Sequence, residues 1–227
     1  MELDGFPENS HNSPPNRPKN QFGLLAAVLG VLSACEKTDY EVPIQYGEPI
    51  IDEGENFVGY GRWTLPFPSG NYWKVVQGYE TGTHTDWGFE YGDDTYALDF
   101  SRAGCEAYGM AITPVESGEV LETGAEEDGY GRSLLVEHED GYVSRYAHLS
   151  EILVSEGDHV EVDSQIAAVG NSGDVDGEAC TEHPGTHLHL ALYLNGDGAK
   201  PEPLSGRSPM SVGCWYNREG SEDCTKH

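Results

Sequence analysis

The stretch His187-Leu188-His189-Leu190-Ala191-Leu192-Tyr193-Leu194 says most about how this chain folds. Its leucines alternate with two histidines and two other side chains, and a period of two is that of a β-strand with one face in a core. At about 3.3 Å per residue, His187 and His189 stand about 6.5 Å apart on the same face. Such imidazoles can share one metal centre, or supply one ligand and one proton-handling group. The simpler interpretation is a pair of exposed histidines on a half-buried strand. The choice between the two depends on whether the rest of the chain supplies partners for these histidines.

Composition limits the class of protein. The 227 residues can bury one good core, and 29 glycines, 13 prolines and 13 tyrosines among short apolar runs indicate a turn-rich β protein. The formal net charge is −28, which argues against a nucleic-acid partner because neutralising phosphates requires a basic face. It also disfavours adhesion to anionic membranes by charge alone. The acidity itself names no substrate.

Residues 1–35 have the features of a secretory signal. Arg17 and Lys19 precede an apolar run over 22–32, which is too short to span a bilayer permanently. Leu32-Ser33-Ala34-Cys35 resembles the bacterial lipobox, in which the cysteine is lipid-modified and becomes the mature N-terminus. We therefore expect an exported protein held to the bacterial envelope by lipid on Cys35, periplasmic or at the cell surface. Glu36 is not the aspartate associated with inner-membrane retention, which favours the outer membrane.

The rest of the chain divides into three parts. Residues 36–62 form an acidic linker or arm, 63–200 a folded domain, and 201–227 a C-terminal tail with two cysteines. Within the domain, Glu139-Asp140-Gly141 is a hairpin signal between two strands. The predicted strands lie at 72–77, 96–100, within 111–123, 133–137, 142–149 and, as a pair of short strands, within 152–169. The fold class is therefore all-β, a single antiparallel β-sheet domain with long loops.

Three further residues could join the histidine pair at a site. His84 lies in a loop, and His148 lies on a predicted strand after Tyr146. Asp99 lies on the small-residue face of the strand 96–100, whose other face is apolar. A carboxylate in that position is unusual unless something binds it. Each of the three is a weak indication alone, but together they supply the partners that the histidine pair needs.

The order of these motifs resembles that of the lysostaphin/LytM-type zinc peptidases over about residues 65–195. The motifs are His84, Tyr96-Ala97-Leu98-Asp99-Phe100, Tyr146-Ala147-His148-Leu149, Gly170-Asn171-Ser172-Gly173 and His187-Leu188-His189. The resemblance implies the LytM fold, of the duplicated hybrid motif type, around a zinc cleft. It implies one Zn²⁺ per chain held by His84, Asp99 and His189, with His148 and His187 as the catalytic histidines. Three protein ligands leave a fourth position for water, which zinc converts into a nucleophile near neutral pH.

The activity that this resemblance implies is a metalloendopeptidase that cuts peptide cross-links or stem peptides of bacterial peptidoglycan, in a monomer. Two alternatives come from other classes. A domain of this type can be a catalytically silent module that regulates other wall hydrolases. A cupin-like barrel also uses a His-x-His strand, but the glutamate and later histidine of that pattern are missing here. Retention of all five residues favours the enzyme.

The spacing of the first two ligands differs from the common His-x-x-x-Asp form. Fifteen positions separate His84 from Asp99, and Asp86, Asp93 and Asp94 lie between them. The sequence follows the family version that places the aspartate in a Tyr-Ala-x-Asp-Phe strand, which favours Asp99 over the other three. His183 is taken as a loop histidine.

With Cys35 reserved for lipid, four cysteines remain in a chain exposed to oxidising conditions. Three pairings are possible, and the small loop between Cys214 and Cys224 favours that pair, which leaves Cys105 with Cys180. A zinc site made of these thiols is the alternative, although no C-x-x-C spacing supports it. A bridge to Cys180 would fix the loop that leads into His187.

Overall fold

The computed structural model describes residues 62–85, 92–177 and 180–226. The predictions for the signal segment, for lipid on Cys35 and for the arm up to residue 61 lie outside the described residues. No helix among the described residues has the length and apolar character needed to cross a membrane.

Antiparallel strands make up nearly all the regular structure, and a 3₁₀ turn at Glu139–Gly141 is the only helical element in the described part of the chain. This confirms the predicted all-β class. The strands are β1 Trp73–Gln77, β2 Leu98–Ser101, β3 Ala111–Ile112, β4 Gly118–Ala125, β5 Arg132–Glu137, β6 Tyr142–Ala147, β7 Leu149–Ile152, β8 His159–Val160, β9 Ala167–Val169, β10 Leu188–Leu194, β11 Asp197–Gly198, β12 Trp215–Tyr216 and β13 Glu222–Asp223.

The strands form two sheets. The large sheet has the order β13-β12-β1-β2-β10-β6-β5-β4-β8, with β11 paired to β10, and the small sheet has the order β3-β9-β7. The histidine strand β10 therefore lies in the middle of the large sheet, between β2 and β6. A central strand has its backbone hydrogen-bonded on both edges, so the side chains that it carries are held in fixed positions.

The two faces of β10 differ as its alternation predicts. Leu188, Leu190 and Leu192 belong to the main core, which also contains Phe100 and Tyr146. The opposite face, here called the site face, carries His189 and then a small apolar cluster. That cluster contains Ala97, Ala191 and Tyr193. The hydrophobic effect fixes which face of the sheet is inside, and this leaves the histidines on the face that can open to substrate.

The connection between β5 and β6 follows from its sequence. Asp140 and Gly141 both have positive φ, 64° and 78°. Aspartate and glycine tolerate this region, which explains why the Asp-Gly pair marks the hairpin.

The C-terminal segment is part of the sheet rather than a separate tail. Strand β12 pairs with β1, and Leu204, Met210 and Tyr216 are buried in the main core. The Arg218 guanidinium donates to the carbonyl oxygen of Val162 at 2.9 Å. Residues in the segment 201–227 thus pack with the domain predicted for 63–200, although their apolar side chains are spaced irregularly and give no strand signal.

Both predicted disulfides are present. Cys105 is bonded to Cys180 and Cys214 to Cys224, so these thiols are not available for a metal site. The first bridge holds the loop before β10 against the loop after β2. His183 lies in the bridged loop with its ring stacked on Tyr108, centroids 3.4 Å apart, and remains a loop residue.

A buried histidine on the core side should make the stability of the fold depend on pH. His138 is enclosed beside Trp63, and its Nε2 lies 2.7 Å from the Ser144 hydroxyl. Burial lowers the pKa of His138 from 6.5 to about 4. Between these values the unfolded chain binds more protons, so the free energy of unfolding falls as the pH falls, by on the order of 3 kcal/mol.

We therefore expect His138→Gln to flatten the loss of stability between pH 6.5 and 4, as measured by urea unfolding at several pH values. The same change at His159, which is exposed, should leave the slope as in the unmodified protein. Parallel slopes for His138→Gln and the unmodified protein would contradict the assignment.

Candidate metal centre

The register of the large sheet brings Asp99 and His189 together. They are directly opposite each other on β2 and β10, and both residues are buried, 6% and 5% exposed. His189 Nδ1 lies 3.0 Å from Asp99 Oδ1. Residues opposite each other on adjacent strands are the closest cross-strand neighbours, so this pair is fixed by backbone pairing rather than by a flexible loop.

His84 completes a group of three from a loop. Its Nε2 lies 3.1 Å from the same Asp99 oxygen, and its ring is 1% exposed. The other ring nitrogen, Nδ1, lies 2.8 Å from the carbonyl oxygen of Gly78. Because a carbonyl only accepts, Nδ1 donates to Gly78, and Nε2 is the ring nitrogen that faces Asp99.

The donor set of His84, Asp99 and His189 fits a divalent metal ion. One ligand atom from each residue lies within 4.8 Å of the other two, and two imidazoles with one carboxylate form a common catalytic zinc set. Burial would raise the pKa of Asp99, but hydrogen bonds from His189 and His84 and the charge of His187 hold it well below its usual range. The carboxylate is therefore ionised, as a ligand must be.

His148 approaches this group from the end of β6. Its φ is 60°, an uncommon value for a residue with a side chain, and such residues cluster at functional sites. Its backbone N–H donates to the Tyr130 carbonyl at 2.9 Å, and its Nδ1 lies 2.9 Å from the Ser172 carbonyl. Burial lowers the pKa of His148 to about 3, helped by the charges of His187 and His189, so the ring is neutral.

The loops that hold His148 touch each other at glycines. A Cβ added at Gly131 would lie 2.3 Å from the Ser172 carbonyl carbon, and one at Gly173 would lie 2.4 Å from the Gly129 carbonyl oxygen. Both glycines also have positive φ. Only glycine permits so close an approach, which gives the Gly170–Gly173 motif its structural role of placing the Ser172 carbonyl beside His148.

His187 lies just before β10 and faces the same cleft. Its Nε2 lies 3.7 Å from Asp99 Oδ2, and its ring centroid lies 4.6 Å from that of His148. Its Nδ1 donates to the Gly185 carbonyl at 2.7 Å. The structure thus brings together all five residues that the sequence predicts for the site. Asp93 lies apart from it, since its carboxylate accepts from the backbone N–H groups of Thr95 and Gly198, and Asp86 lies outside the described residues.

Asp94 is a residue of the site that the sequence analysis weighed only as an alternative ligand to Asp99. Its Oδ2 lies 3.3 Å from His189 Nε2, a charge contact outside hydrogen-bond geometry. The same carboxylate accepts from the hydroxyls of Tyr130 at 2.5 Å and Tyr193 at 2.7 Å. Burial raises the pKa of Asp94, but His189 and the two hydroxyls lower it to about 2. Tyr193 follows His189 by four residues on the site face, and this spacing was the one signal for the network available in the sequence.

The four histidines share one arrangement. His84, His148 and His187 each direct one nitrogen to a backbone carbonyl, and His189 directs one to Asp94. Outer partners of this kind fix ring orientation and tautomer at metal sites. A cavity of about 450 Å³ opens onto the group and is lined by Thr83, Asp94, Asp128, Gly129, Tyr130, His148, Asp174 and His189.

An antiparallel β-sheet domain with a buried His-Asp-His group and two more histidines beside it defines a class of metallopeptidase-like domains. Residues 99–201 match the sequence profile of Peptidase family M23. The lipoprotein NlpD of Yersinia enterocolitica is 34% identical over 93 residues, which cover 41% of this chain and 87% of that protein. The chain belongs to peptidase family M23.

Longer relatives match over a smaller part of their length. The outer membrane antigenic lipoprotein B of Histophilus somni is 38% identical over 100 residues, 44% of this chain and 26% of that protein. The murein hydrolase activator NlpD of Escherichia coli is 31% identical over 93 residues, 41% of this chain and 22% of that protein. The match thus spans about a quarter of these relatives. Among solved structures, a zinc-containing peptidase from Vibrio cholerae has a TM-score of 0.47 at 22% identity, over 62% of this chain and 39% of that one.

Proposed function

We propose that this protein is a zinc-dependent endopeptidase that hydrolyses peptide bonds of bacterial peptidoglycan. The observation that carries the proposal is that His84 Nε2 and His189 Nδ1 converge on one oxygen of Asp99. The rings of His148 and His187 lie beside this group. In the proposal the first three residues hold one Zn²⁺ and the last two handle protons. A domain that only binds peptide has no need of such a buried, charged group.

The hydrogen bonds of the two histidines suit proton transfer. Each has its Nδ1 directed at a backbone carbonyl, so each keeps an Nε2 lone pair for the cleft. Bound zinc would supply Lewis acidity and lower the pKa of water to about 7. One imidazole then accepts the proton of the attacking water at Nε2. The other ring, when protonated on both nitrogens, donates its Nε2–H to the oxyanion that forms at the scissile carbonyl.

The test is mass spectrometry of purified peptidoglycan incubated with the zinc-loaded 36–227 fragment, beside a His187→Ala variant. We expect new stem-peptide termini that disappear in the variant, because His187 is not among the ligands and its loss should leave the zinc in place. A matched control is His183→Ala, which removes a loop histidine stacked on Tyr108 and should cut normally. Intact cross-links after incubation with a folded, zinc-loaded protein would refute the proposal.

The second candidate is a regulatory module that acts on other wall hydrolases. What favours it is that a relative matched over the same domain is called a murein hydrolase activator. If the cross-links stay intact, adding a wall amidase to the same incubation would separate the two functions. If the protein is a regulator, the unmodified protein and the His187→Ala variant should raise amidase turnover to the same extent.

The location of the protein is part of the same proposal. Relatives that match the domain carry the names of lipoproteins, one of them of the outer membrane, and Leu32-Ser33-Ala34-Cys35 is a lipobox-like sequence. We infer that lipid on Cys35 holds the domain at the bacterial envelope, where its substrate is. Replacing Cys35 by serine should move the protein from the detergent phase to the aqueous phase.

A further inference from the structure

Arg145 on β6 is a cation without an anionic partner among the described residues. No hydrogen bond or ion pair joins its guanidinium to another residue in the described ranges, and its Nε is buried without an acceptor. The chain has 40 acidic residues against 12 basic ones. Of the six arginines in the described ranges, four lie within ion-pair distance of a carboxylate, namely Arg62, Arg102, Arg207 and Arg218, and Arg132 is exposed to solvent. An unpaired guanidinium within the fold therefore points to a ligand.

The register of the sheet places Arg145 beside the metal centre. Ala147 is opposite His189, and Arg145, two residues earlier on β6, is opposite Ala191. Two residues along a strand correspond to about 6.6 Å, and side chains two apart share a face. Arg145 thus lies on the site face, one row of side chains away from the row that contains His189 and Asp99.

Tyr130 connects the two places. The Arg145 guanidinium carbon lies 3.9 Å from the centroid of the Tyr130 ring, and the Tyr130 hydroxyl donates to Asp94 behind the metal ligand His189. Tyr130 lines the metal cleft and also a neighbouring cavity of about 430 Å³ that contains Arg145. Stacking on a ring holds a guanidinium by its face, which leaves its edge N–H groups able to donate.

The chemistry of this neighbouring cavity selects a carboxylate. A guanidinium edge matches the two oxygens of a carboxylate in a bidentate pair. Glu122 and Glu126 also line the cavity, and neither lies within ion-pair distance of Arg145. Glu122 is two strands away, since it pairs with Leu135, which pairs with Arg145. Arg145 is therefore not neutralised by either glutamate.

We propose that Arg145, held by Tyr130, is a subsite for a peptide carboxylate about two residues from the peptide bond that lies at the metal centre. The distance follows from the row spacing, because an extended peptide also advances about 3.3 Å per residue. This inference rests on the proposed peptidase function. It assigns the substrate class as peptides with a free carboxylate near the cleaved bond, such as an uncross-linked stem end.

The test compares two synthetic tetrapeptides of the peptidoglycan stem that differ only in a C-terminal carboxylate or carboxamide. Binding is measured by calorimetry with the zinc-loaded 36–227 fragment carrying His187→Ala, so that no turnover interferes. We expect the acid to bind about tenfold more tightly than the amide, the usual effect of one charge-assisted hydrogen-bonded pair. Adding Arg145→Gln should remove the preference, and adding Arg145→Lys should keep part of it.

Arg132→Gln is the matched control. Arg132 is an exposed residue of β5 on the side of the sheet that faces away from the site, since Ser133 and Leu135 alternate with it. Removing its charge changes the net charge equally, and the acid preference should persist. Thermal unfolding of each variant shows whether it is folded. If Arg145→Gln does not fold, the acid preference of Arg145→Lys is compared with that of the parent protein instead.

Three results would overturn the subsite: equal affinity for acid and amide, no binding of either peptide at millimolar concentration, or an acid preference that survives Arg145→Gln. The outcome is separable from that of the proposed function. An acid preference that depends on Arg145, in a protein that leaves peptidoglycan intact, would support the subsite and refute the peptidase.

Discussion

Asp99→Asn is expected to abolish zinc binding and, with it, peptide hydrolysis. Asp99 Oδ1 is the point where His84 Nε2 and His189 Nδ1 meet, at 3.1 and 3.0 Å. The amide keeps the shape of the side chain but loses the charge, and neutral amides are rare ligands of zinc. The loss of affinity should exceed the roughly 10–100-fold effect of removing an outer partner. Zinc content after dialysis and competition with a chelator measure it.

Two variants show whether the effect belongs to the ligand. Asp94→Asn keeps all three ligands but weakens the contact that orients His189, so its affinity should fall only within the 10–100-fold range. Asp197→Asn changes an exposed carboxylate on β11 and should bind zinc normally. Full zinc occupancy of Asp99→Asn at unchanged affinity would exclude Asp99 as a ligand.

Removal of residues 201–227 is expected to prevent the domain from folding cooperatively. The segment places Leu204, Met210 and Tyr216 in the main core and adds β12 to the edge of β1. Truncating one such buried side chain costs about 2–5 kcal/mol, and the whole stability of a domain is about 5–15 kcal/mol. Thermal unfolding of fragment 36–200, followed by near-ultraviolet circular dichroism, should show no sigmoidal transition.

A shorter deletion serves as the control. Removing 225–227 keeps the Cys214–Cys224 disulfide and the core side chains, and it loses chiefly the hydrogen bond from Trp215 Nε1 to the Lys226 carbonyl. This fragment should unfold cooperatively at a slightly lower temperature. If fragment 36–200 melted as sharply as the longer one, the C-terminal segment would be dispensable and the boundary at residue 200 correct.

Local patterns were sufficient where the chemistry is local. The alternation of β10 predicts which side chains enter the core, and the Asp-Gly pair predicts the β5–β6 hairpin. The Tyr96–Phe100 pattern places Asp99 on the face away from the core. The structure shows the same arrangement, because Leu98 and Phe100 are buried in the main core. In each case a strand has only two faces, so burying one determines the other.

Contacts between distant segments could not be derived in this way. Asp94, Tyr130 and Tyr193 form one network across 99 residues of chain, and the sequence indicates only that Tyr193 shares a strand face with His189. The C-terminal strand β12 is two residues long, too short for a period to be recognised. In the sequence Arg145 is an ordinary polar residue of an alternating strand, and only the structure shows that no carboxylate within the described ranges pairs with it.

The sequence by itself predicted the all-β class, the leucine face of β10, the preferred pairing of the cysteines and the membership of His84, Asp99, His148, His187 and His189 in one candidate site. These follow from periodicity, from residue chemistry and from a family resemblance. Only the tertiary structure decided which nitrogen of each histidine faces the cleft, which groups hold the rings, and that Arg145 lies one row from Asp99 and His189. Those features depend on strand register and on loop-to-loop contacts, and both are set by the packing of segments that are far apart along the chain.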